Sequence, residues 1–503
     1  MLTKEWKSLK SGSDIRGVGV SGMGAPVTLT DEVVERVGVA FAGFLAARTG
    51  KPVADLRISV GRDSRISGPR IRNAVVRGMC FAGAKVFDCG LTSTPSMFMS
   101  TITPGFDYDG AVMITASHMP MDKNGLKFFT KQGGVEGSDI LTLLEMAQDE
   151  QRLVTGDPVA EEVDFLSVYA QQLVDKVRAA VPGVAEPLSG FRIVVDAGNG
   201  AGGFYVDKVL KPLGANTAGS QYLDPDGRFP NHIPNPENEE AMAAIQQAVL
   251  TAKADLGIIF DTDVDRAGAV DDAGREINRN RLVALMSAIM IEETPGATIV
   301  TDSITSTGLA AFIAQKGGKH HRFKRGYRNV IDEALRLNAQ GIACPMAMET
   351  SGHCALKENH FLDDGAYLIT KLLIKMAQLK TQGRKLSDLI ADLAEPAESA
   401  EVRMGIQGEG FAEYGQQVIA RVEACAQAQG WAIAPDNHEG IRVSFGPGEG
   451  EGWFLLRLSL HDPIMPLNVE SDAPGGVKVI AAKLYDALKQ FDRLDTGKLQ
   501  AIL

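Results

Sequence analysis

The sequence contains few cysteines, and none of them is arranged as a pair. The five cysteines lie far apart, without a Cys-x-x-Cys motif or the spacing of a zinc site. An odd number of scattered cysteines is typical of free thiols in a reducing compartment. We therefore expect no disulfide framework in this protein.

Long apolar runs are also missing. The opening segment, MLTKEWKSLKSG, has no apolar core of signal-peptide length, and no stretch is long and apolar enough to span a bilayer. These absences give the expectation of a soluble, cytoplasmic protein without a membrane partner.

The chain lacks an excess of positive charge. It carries 51 Lys and Arg residues against 63 Asp and Glu residues, a formal net charge of -12. This balance argues against an extended basic surface that binds the phosphate backbone of a nucleic acid. A few local Arg and Lys residues can still bind a small anion.

The 503 residues, 45% of them apolar, exceed what a single hydrophobic core usually holds, so several domains are expected. Short apolar β runs alternate with amphipathic helices, which is typical of α/β sheets. Helices are predicted near residues 34–45, with Thr30 or Asp31 as cap, and 71–82. Strands are predicted near residues 57–60, 111–114, 192–195, 255–260, 298–300 and 345–348.

The pattern predicts three α/β units up to about residue 390, followed by a C-terminal α+β unit. The small, acidic segment AEPAESAEV (394–402) is interpreted as the linker between them. Beyond it, a helix near 411–428 precedes strands at 441–445 and 453–458 and a helix at 477–488. The predicted fold class is therefore α/β, with three mixed-sheet domains and a C-terminal α+β domain.

A first polar loop follows the predicted strand in AVMITASHMP (111–120). The apolar run stops at a small, polar tip that contains Ser117 and His118, and Pro120 prevents the strand from continuing. Parallel sheets bind ligands beyond the carboxyl ends of their strands, where a serine nucleophile activated by a base or metal fits. A serine turn that merely caps the next segment is the alternative.

A second loop follows the apolar run in DLGIIFDTDVDRAG (255–268). It places Asp261, Asp263 and Asp265 at alternate positions, where their charges repel one another unless a cation neutralises them. Hard oxygen ligands suit Mg²⁺, which often also takes phosphate oxygens as ligands. Arg266 could contact a phosphate or brace the carboxylates, and a simple acidic turn is the alternative.

A third loop, in MAMETSGHCALKEN (346–359), follows another apolar run. Glu349, Ser351 and His353 form a dense set of donors and acceptors that suits sugar hydroxyls. A polar turn before a helix is an equally good interpretation of this loop alone.

Together these loops resemble those of the α-D-phosphohexomutases. The phosphoserine loop of that family is usually Thr-Ala-Ser-His-Asn-Pro, and here Met119 replaces Asn. Its metal loop, Asp-Gly-Asp-x-Asp-Arg, has Thr262 in place of Gly, and its sugar loop, Gly-Glu-x-Ser-Gly-His, has Met348 in place of the first Gly. Further segments follow the order of the family: SDIRGVG, GRDSR, NGLKFF and VVDAGNGAGG.

The resemblance implies four domains around a central cleft, each contributing one loop. They are a phosphoserine-loop domain, a metal-binding domain, a sugar-binding domain and a phosphate-binding α+β domain, at 1–158, 159–277, 278–393 and 398–503.

It also implies a phosphohexomutase of the phosphomannomutase/phosphoglucomutase type. Such an enzyme, an isomerase, transfers a phosphoryl group reversibly between positions 1 and 6 of a hexose phosphate through a hexose 1,6-bisphosphate, which also acts as activator. Ser117 would carry the phosphoryl group. One Mg²⁺ per chain would be bound by Asp261, Asp263, Asp265 and the phosphate on Ser117, and the partner would be a small sugar phosphate.

Further roles follow from the same resemblance. Arg16 and Lys127 match residues close to the phosphoserine, Lys127 being a candidate for proton transfer, and His118 would be a hydrogen-bonding neighbour. The expected substrate contacts in the second and third domains are Arg266, Lys324, Glu349, Ser351 and His353.

The fourth domain departs from the family pattern Arg-x-Ser-Gly-Thr-Glu-Pro. In RLSLHDPIMPLNVES (457–471) the matching Arg457 and Ser459 are present, but Leu-His-Asp replaces Gly-Thr-Glu, which weakens a glycine-rich anion loop. The expectation is that Arg457, Ser459 and His461 hold the phosphate that does not react.

Other functions stay open at this stage. The protein could be a phosphoglucosamine mutase, since the identity of the hexose is not determined. FDTDV also fits an aspartyl-nucleophile sugar phosphatase, in which Asp261 would be the nucleophile and free phosphate the product. A non-catalytic sugar-phosphate sensor is a third possibility, and the oligomeric state is not predicted.

Overall fold

The computed structural model describes residues 1–22, 24–459 and 462–503. The chain divides into two units. The first consists of Met1–Asn278, Ser351–Cys354 and Leu362–Leu386, and the second of Arg279–Thr350, Ala355–Phe361 and Ser387–Leu503. Among the described residues, no helix is both long and apolar enough to cross a membrane.

The first sheet of unit one has eight strands in the order β1-β2-β6-β5-β3-β4-β8, with β7 paired to β6. Its parallel centre is β3 between β4 and β5, and β6 runs antiparallel to both β5 and β2. Its elements are α1 (Lys4–Ser8), β1 (Lys10–Ser11), β2 (Asp14–Val18), α2 (Asp31–Thr49), β3 (Arg57–Arg62), α3 (Gly68–Ala82), β4 (Lys85–Leu91), α4 (Thr94–Ile102), β5 (Gly110–Ile114), β6 (Lys123–Thr130), β7 (Gly133–Gly134), α5 (Gly137–Asp149) and β8 (Glu161–Glu162).

Helix α2 illustrates how the sequence sets these bounds. The Thr30 side chain accepts a hydrogen bond from the Val33 amide at the start, and Gly50, at φ 71°, ends the helix in a left-handed conformation. The apolar face then packs into the core, where Phe41 lies 4.8 Å from Phe128 of β6, measured between ring centroids. The predicted helix and its cap are confirmed.

The second sheet of unit one has the order β12-β11-β10-β9. Strand β10 runs parallel to β9 and turns back immediately into antiparallel β11, so the segment between them forms a tight turn at the carboxyl end of β10. The elements are α6 (Phe165–Ala180), β9 (Ile193–Asp196), a π-helical turn (Val206–Leu210), α7 (Glu239–Ala252), β10 (Leu256–Phe260), β11 (Ala267–Asp271) and β12 (Glu276–Ile277).

Unit two begins with an α/β segment in which β13 pairs in parallel with both β14 and β15. Its elements are α8 (Arg279–Glu293), β13 (Thr298–Thr301), α9 (Thr307–Gln315), β14 (Lys319–Arg322), α10 (Tyr327–Ala339) and β15 (Met346–Met348). The chain continues through β16 (Cys354–Leu356) and β17 (Leu362–Asp363) into α11 (Gly365–Lys380), a buried helix of unit one.

The C-terminal sheet is antiparallel, in the order β18-β22-β21-β20-β19. Two helices, α12 and α13, share a hydrophobic core with this sheet, as expected for an α+β domain. The elements are β18 (Glu398–Gly405), α12 (Phe411–Gln429), β19 (Ala432–Ile433), β20 (Ile441–Phe445), β21 (Gly452–Leu456), β22 (Ile464–Ser471), α13 (Gly476–Leu488) and α14 (Gly497–Gln500). The predicted fold class is confirmed, whereas the four domain boundaries stay a prediction.

One prediction for this region is wrong and one boundary differs. The segment 394–402 is not a linker throughout, because its second half belongs to β18, which pairs with β22 along its whole length. The exposed positions of β18 carry small and charged residues, and two of its residues, Val402 and Met404, are buried and apolar. The composition of the segment therefore does not indicate a strand. The strand predicted at 453–458 is present, but it ends at Leu456, so Arg457 lies in the following loop.

Candidate active site

The Ser117 loop follows β5, a strand in which every residue is buried. The Ser117 amide donates to Thr115 Oγ1 at 2.9 Å, and the Met119 amide donates to the Ala116 carbonyl at 3.1 Å. Ser117 itself has φ 49°, a left-handed conformation that is uncommon for residues other than glycine. The turn leaves the side chain buried, with 4% of its surface exposed.

The three aspartates lie in the turn after β10. Asp261, Asp263 and Asp265 are buried, and each offers one carboxylate oxygen within 4.8 Å of those of the others. Thr94 Oγ1 donates to Asp263 Oδ2 at 2.5 Å. Oδ1 of Asp263 is buried and has no hydrogen-bond partner among the described residues. A buried acceptor without a donor, inside a cluster of like charges, is an environment that a cation completes.

The carboxylates influence one another strongly. Burial, together with the charge of Asp265, raises the pKa of Asp261 well above its usual range and that of Asp263 to about 6. Burial acts in the same direction on Asp265, but the charges of Lys127 and His353 lower its pKa below the usual value. Two of the three groups therefore resist ionisation, a penalty that a bound divalent cation would offset.

The Ser117 hydroxyl and the carboxylates meet within hydrogen-bonding distance. Ser117 Oγ donates to Asp261 Oδ2 at 3.1 Å, and Arg266 Nη2 donates to Ser117 Oγ at 3.2 Å. Arg266 also holds Asp261 through Nε, at 3.1 Å. The arginine thus contacts both the serine and the acidic cluster, the bracing position that was one of its two predicted roles.

Lys127 and Arg16 approach the cluster from neighbouring strands. Lys127 Nζ lies 3.3 Å from Asp14 Oδ2 and 3.7 Å from Asp265 Oδ2, while Arg16 Nη2 lies 2.8 Å from Asp14 Oδ2. Asp14 therefore joins the two cations. It was not predicted, although its position two residues before Arg16 on β2 places both side chains on one face of that strand.

His118 acts as a hydrogen-bond acceptor in this site. Its Nδ1 lies 2.6 Å from Arg266 Nη2, which can only donate. Burial, with the positive charges of Arg266 and Arg16, lowers the pKa of His118 to about 3. The imidazole is therefore neutral at physiological pH and orients the guanidinium.

His353 and Asp363 also belong to unit one and extend the cluster. His353 Nδ1 pairs with Asp363, and these two residues and Asp265 offer ligand atoms within 4.8 Å of one another. Burial alone would lower the pKa of His353, but the Asp363 carboxylate raises it to about 9. Ser351, two residues before His353, is also buried, and its Oγ has no hydrogen-bond partner in the described part of the chain. Asp363 was not among the site residues predicted from the sequence.

Unit two contains the remaining predicted substrate contacts. Glu349, 4% exposed, accepts a hydrogen bond from the Gly326 amide at 2.6 Å, which joins its loop to the segment with exposed Lys324. The Arg325 amide donates to Glu439 Oε1 at 2.8 Å. Glu439 and Gly440 precede β20, whose first residue pairs with Leu456 at the end of β21, next to Arg457.

Arg457 is suited to an anion. Its Nε is buried and has no hydrogen-bond partner among residues 1–22, 24–459 and 462–503. Burial, with the charge of Arg325 nearby, lowers the pKa of Arg457 below its usual range. In the same loop the Asp462 amide donates to Ser459 Oγ at 3.3 Å. The third predicted contact, His461, lies outside the described residues.

Known proteins share both the sequence and the fold. Family models for phosphoglucomutase/phosphomannomutase alpha/beta/alpha domains I, II and III match residues 9–152, 167–274 and 278–397. A phosphoglucomutase of Neisseria gonorrhoeae is 31% identical over 476 residues, which cover 93% of this chain and 94% of that protein. The chain belongs to the phosphoglucomutase/phosphomannomutase family.

Two other proteins support this assignment. The phosphomannomutase/phosphoglucomutase of Pseudomonas aeruginosa is 30% identical over 482 residues, 95% of each chain. The crystal structure of a phosphoglucomutase/phosphomannomutase family protein from Burkholderia thailandensis has a TM-score of 0.79 and 28% identity, and the match covers 98% of this chain and 100% of that one. As a family member, the protein is a phosphohexomutase, an enzyme of the isomerase class. The family membership argues against the aspartyl-nucleophile phosphatase.

Proposed function

We propose that the protein interconverts the 1-phosphate and the 6-phosphate of a hexose through a hexose 1,6-bisphosphate, with Ser117 as the phosphate carrier. One observation carries this proposal: the 3.1 Å hydrogen bond between Ser117 Oγ and Asp261, within a cluster of three buried carboxylates. A nucleophilic hydroxyl beside a cation site is the arrangement that phosphoryl transfer requires.

The metal is proposed to be Mg²⁺, held by Asp261, Asp263 and Asp265. These residues fit it because all three ligands are hard oxygens and Asp263 Oδ1 is a buried acceptor without a partner in the described structure. When bound, Mg²⁺ withdraws charge from phosphate oxygens and so favours transfer of the phosphoryl group.

Several side chains around Ser117 have separate roles in the proposed transfer. A sugar hydroxyl attacks the phosphorus atom on Ser117, the bond from phosphorus to Oγ breaks, and the hydroxyl proton has to leave. Arg266, 3.2 Å from Ser117 Oγ, stabilises the negative charge of the transferring group. Lys127, between Asp14 and Asp265, is the candidate that holds or passes the proton. The reverse step, on the other phosphate, regenerates phosphoserine.

The remaining predicted contacts are proposed to recognise the sugar and its other phosphate. In unit two, Glu349 would accept hydrogen bonds from sugar hydroxyls, and Lys324 would supply a positive charge. In unit one, Ser351 and His353 are proposed as sugar contacts as well. The buried Nε of Arg457 and the Ser459 hydroxyl would hold the phosphate that does not react. Glucose and mannose phosphates are the first choices of substrate, and a glucosamine phosphate is the alternative.

Intact-mass measurement and peptide mapping test the carrier. Purified protein treated with glucose 1,6-bisphosphate and Mg²⁺ should carry one phosphate on Ser117. The Ser117→Ala variant should carry none and lose at least about 1,000-fold in turnover, whereas Ser138→Ala, at an exposed site on α5, should match the wild type. Phosphate on Asp261 with release of free phosphate would instead indicate the phosphatase.

A panel of hexose 1-phosphates tests the substrate. Glucose, mannose and glucosamine 1-phosphates are each incubated with Mg²⁺ and a catalytic amount of glucose 1,6-bisphosphate, and formation of the 6-phosphate is followed. We expect turnover of glucose or mannose 1-phosphate. Binding without turnover of any of the three sugars would favour the sensor.

A further inference from the structure

The side chain of Arg65 lies under the Ser117 loop, at a point that the transfer mechanism does not use. Its Nη1 donates to the carbonyls of Pro120 and Lys123, at 2.9 Å each. Its Nη2 donates to the carbonyls of Ser117 and Met119, at 2.5 and 2.6 Å. One guanidinium therefore binds three backbone carbonyls of the loop that carries the nucleophile and a fourth at the first residue of β6.

The surroundings of Arg65 hold this guanidinium in place. Arg65 is 1% exposed, and its Nε lies 3.4 Å from Oδ2 of the fully buried Asp63, whose Oδ1 accepts the Arg65 amide at 2.9 Å. The ring of Phe229, in the loop before α7, lies 5.3 Å from Arg65 Cζ. Because an unpaired buried cation is strongly unfavourable, the paired carboxylate and the carbonyls are what allow Arg65 to be buried.

The loop depends on these hydrogen bonds. Between β5 and β6 the chain forms no strand, and the carbonyls of Ser117 and Met119 accept no hydrogen bond from a described residue other than Arg65, so both would lose their donor without the guanidinium. The Pro120 carbonyl also accepts the Lys123 amide at 3.0 Å, and Lys123 begins β6, so the guanidinium ties the loop to the start of that strand. Ser117 also adopts φ 49°, which a non-glycine residue keeps only when the surrounding structure fixes it. Arg65 supplies that fixation at Ser117 itself and at Met119, two residues later.

We propose that Arg65 is the positioning residue of the phosphate-carrier loop, setting Ser117 Oγ at its distance from the carboxylates without touching sugar or phosphate. This inference rests on the proposed role of Ser117. It assigns a function to the GRDSR segment (61–65), which has no role in the proposed phosphoryl transfer. Its basis is the set of four hydrogen bonds from one guanidinium to the segment between Ser117 and Lys123.

Lysine cannot replace arginine in this position. A guanidinium is planar and presents donors in two directions at fixed angles, whereas an ammonium is a single point with three donors. Arg65→Lys therefore keeps the charge beside Asp63 but loses the simultaneous contact with four carbonyls. Any loss of function in this variant reports the geometry of the loop rather than its charge.

The matched control is Arg57→Lys. Arg57 begins β3, the strand that Arg65 follows, and its Nη1 donates to a backbone carbonyl, that of Phe106, at 2.8 Å. Its guanidinium also lies over aromatic rings, 5.0 Å from both Phe87 and Tyr108. It makes the same kinds of contact as Arg65 at the opposite end of the strand, away from Ser117.

Turnover, hydrogen exchange and melting temperature are measured on full-length Arg65→Lys, Arg57→Lys and wild type. A displacement of the hydroxyl by about 1 Å predicts a kcat about 100-fold lower for Arg65→Lys, with KM changed less than about threefold. Amides of residues 115–123 should exchange faster in this variant alone. A kcat within threefold of wild type would overturn the proposal, and so would an equal loss in Arg57→Lys with faster exchange throughout the sheet.

A second variant keeps the test decisive if Arg65→Lys does not fold. In Asp63→Asn the new side chain has nearly the same shape as aspartate and keeps an acceptor for the Arg65 amide. It removes the negative charge that pairs with Arg65 Nε. Its kcat should fall about tenfold at unchanged KM; an unchanged kcat would overturn the proposal. Transfer of phosphate to Ser117 separates the two inferences: absence of transfer in the wild type refutes the carrier, whereas equal rates in wild type and Arg65→Lys refute only the positioning role.

Discussion

At the scale of single residues, the three aspartates are not equivalent. Asp261 accepts hydrogen bonds from Ser117 and Arg266, and Asp265 lies near Lys127. Asp263 is bound by Thr94 through one oxygen only, and its other oxygen, like Oδ1 of Asp265, is buried without a hydrogen-bond partner among the described atoms. Asp263 makes no hydrogen bond or ion pair with Ser117 or Arg266 in the described part of the chain. Asp263 is therefore the position where charge can be removed with the least disturbance of the serine.

We predict that Asp263→Asn weakens Mg²⁺ binding without unfolding the protein. The apparent dissociation constant, measured from the Mg²⁺ dependence of turnover, should rise at least about tenfold. The metal-free variant should melt at a higher temperature than metal-free wild type, because a buried carboxylate beside two others is replaced by a neutral amide. Asp149→Asn, at an exposed position of α5, is the control. Unchanged Mg²⁺ dependence would show that Asp263 is not a ligand.

The sequence predicted those site residues that occur together in one short motif. Ser117 and the three aspartates follow apolar strands directly, so the sequence pattern alone places them at strand ends. Asp14 and Arg65 could not be found this way, since they come from other segments. They reach the site only through the pairing of β2 with β6 and of β3 with β5, which sequence patterns do not determine.

At the scale of secondary structure elements, β18 shows why a strand can look like a linker. Its residues alternate between exposed and buried positions, but only Val402 and Met404 are buried and apolar. Its partner β22 is equally hard to recognise because it contains Pro466, which faces Arg403 across the pair. Composition alone misleads where an edge strand is mostly polar.

We predict that Val402→Asp destabilises the C-terminal domain, whereas Ser399→Asp does not. Val402 is 4% exposed, so the new carboxylate would be buried without a partner, at a cost of about 3 kcal/mol or more. Ser399 is exposed on the same strand. Urea denaturation followed by tryptophan fluorescence measures both free energies of unfolding. Equal stability of the two variants would mean that the segment behaves as a linker.

Strands β21 and β22 also carry a pH-sensitive contact. Trp453 Nε1 donates to Glu470 Oε2 at 3.0 Å, and Arg442 lies over the Trp453 ring. Burial raises the pKa of Glu470 to about 7, although the tryptophan bond and Arg442 oppose the rise. Because the folded state binds this proton more tightly than the unfolded state, the contribution of Glu470 to stability is largest at low pH. It is lost as pH rises from about 4.5 to about 7.

Glu470→Gln should therefore flatten the pH dependence of unfolding. Between pH 4.5 and pH 8 the wild type should lose on the order of 2 kcal/mol that the glutamine variant keeps. The free energy of unfolding in urea is measured at several pH values, with Glu423→Gln, exposed on α12, as the control. A slope shared by wild type and Glu470→Gln would assign the pH dependence to another group.

At the scale of the whole molecule, each unit has a hydrophobic core of its own. One extensive cluster lies around α2, β3 and β5 in unit one, and another lies between the C-terminal sheet and its helices in unit two. Neither core includes the acidic turn after β10. The fold is consequently expected to form without the metal, and the metal to be needed only for chemistry.

Removal of Mg²⁺ tests this separation. Treatment with EDTA should lower turnover on the order of 1,000-fold or more while the far-ultraviolet circular dichroism spectrum stays unchanged. Addition of excess Mg²⁺ should restore turnover within the mixing time. Loss of the spectrum on chelation would mean that the ion is part of the fold, and retention of full turnover would exclude a metal-dependent step.

The hydrogen bond from Ser117 to Asp261 has a consequence for the catalytic cycle. In the proposed mechanism, an esterified Ser117 has no proton left to donate, so phosphorylation frees the Asp261 oxygen to which the hydroxyl donates in this structure. Binding of the metal ion and phosphorylation of Ser117 are then thermodynamically coupled. Each raises the equilibrium constant of the other by the same factor. The protein without phosphate on Ser117 would release Mg²⁺ more readily than the phosphorylated protein. The phosphorylated protein therefore keeps the metal that the transfer requires.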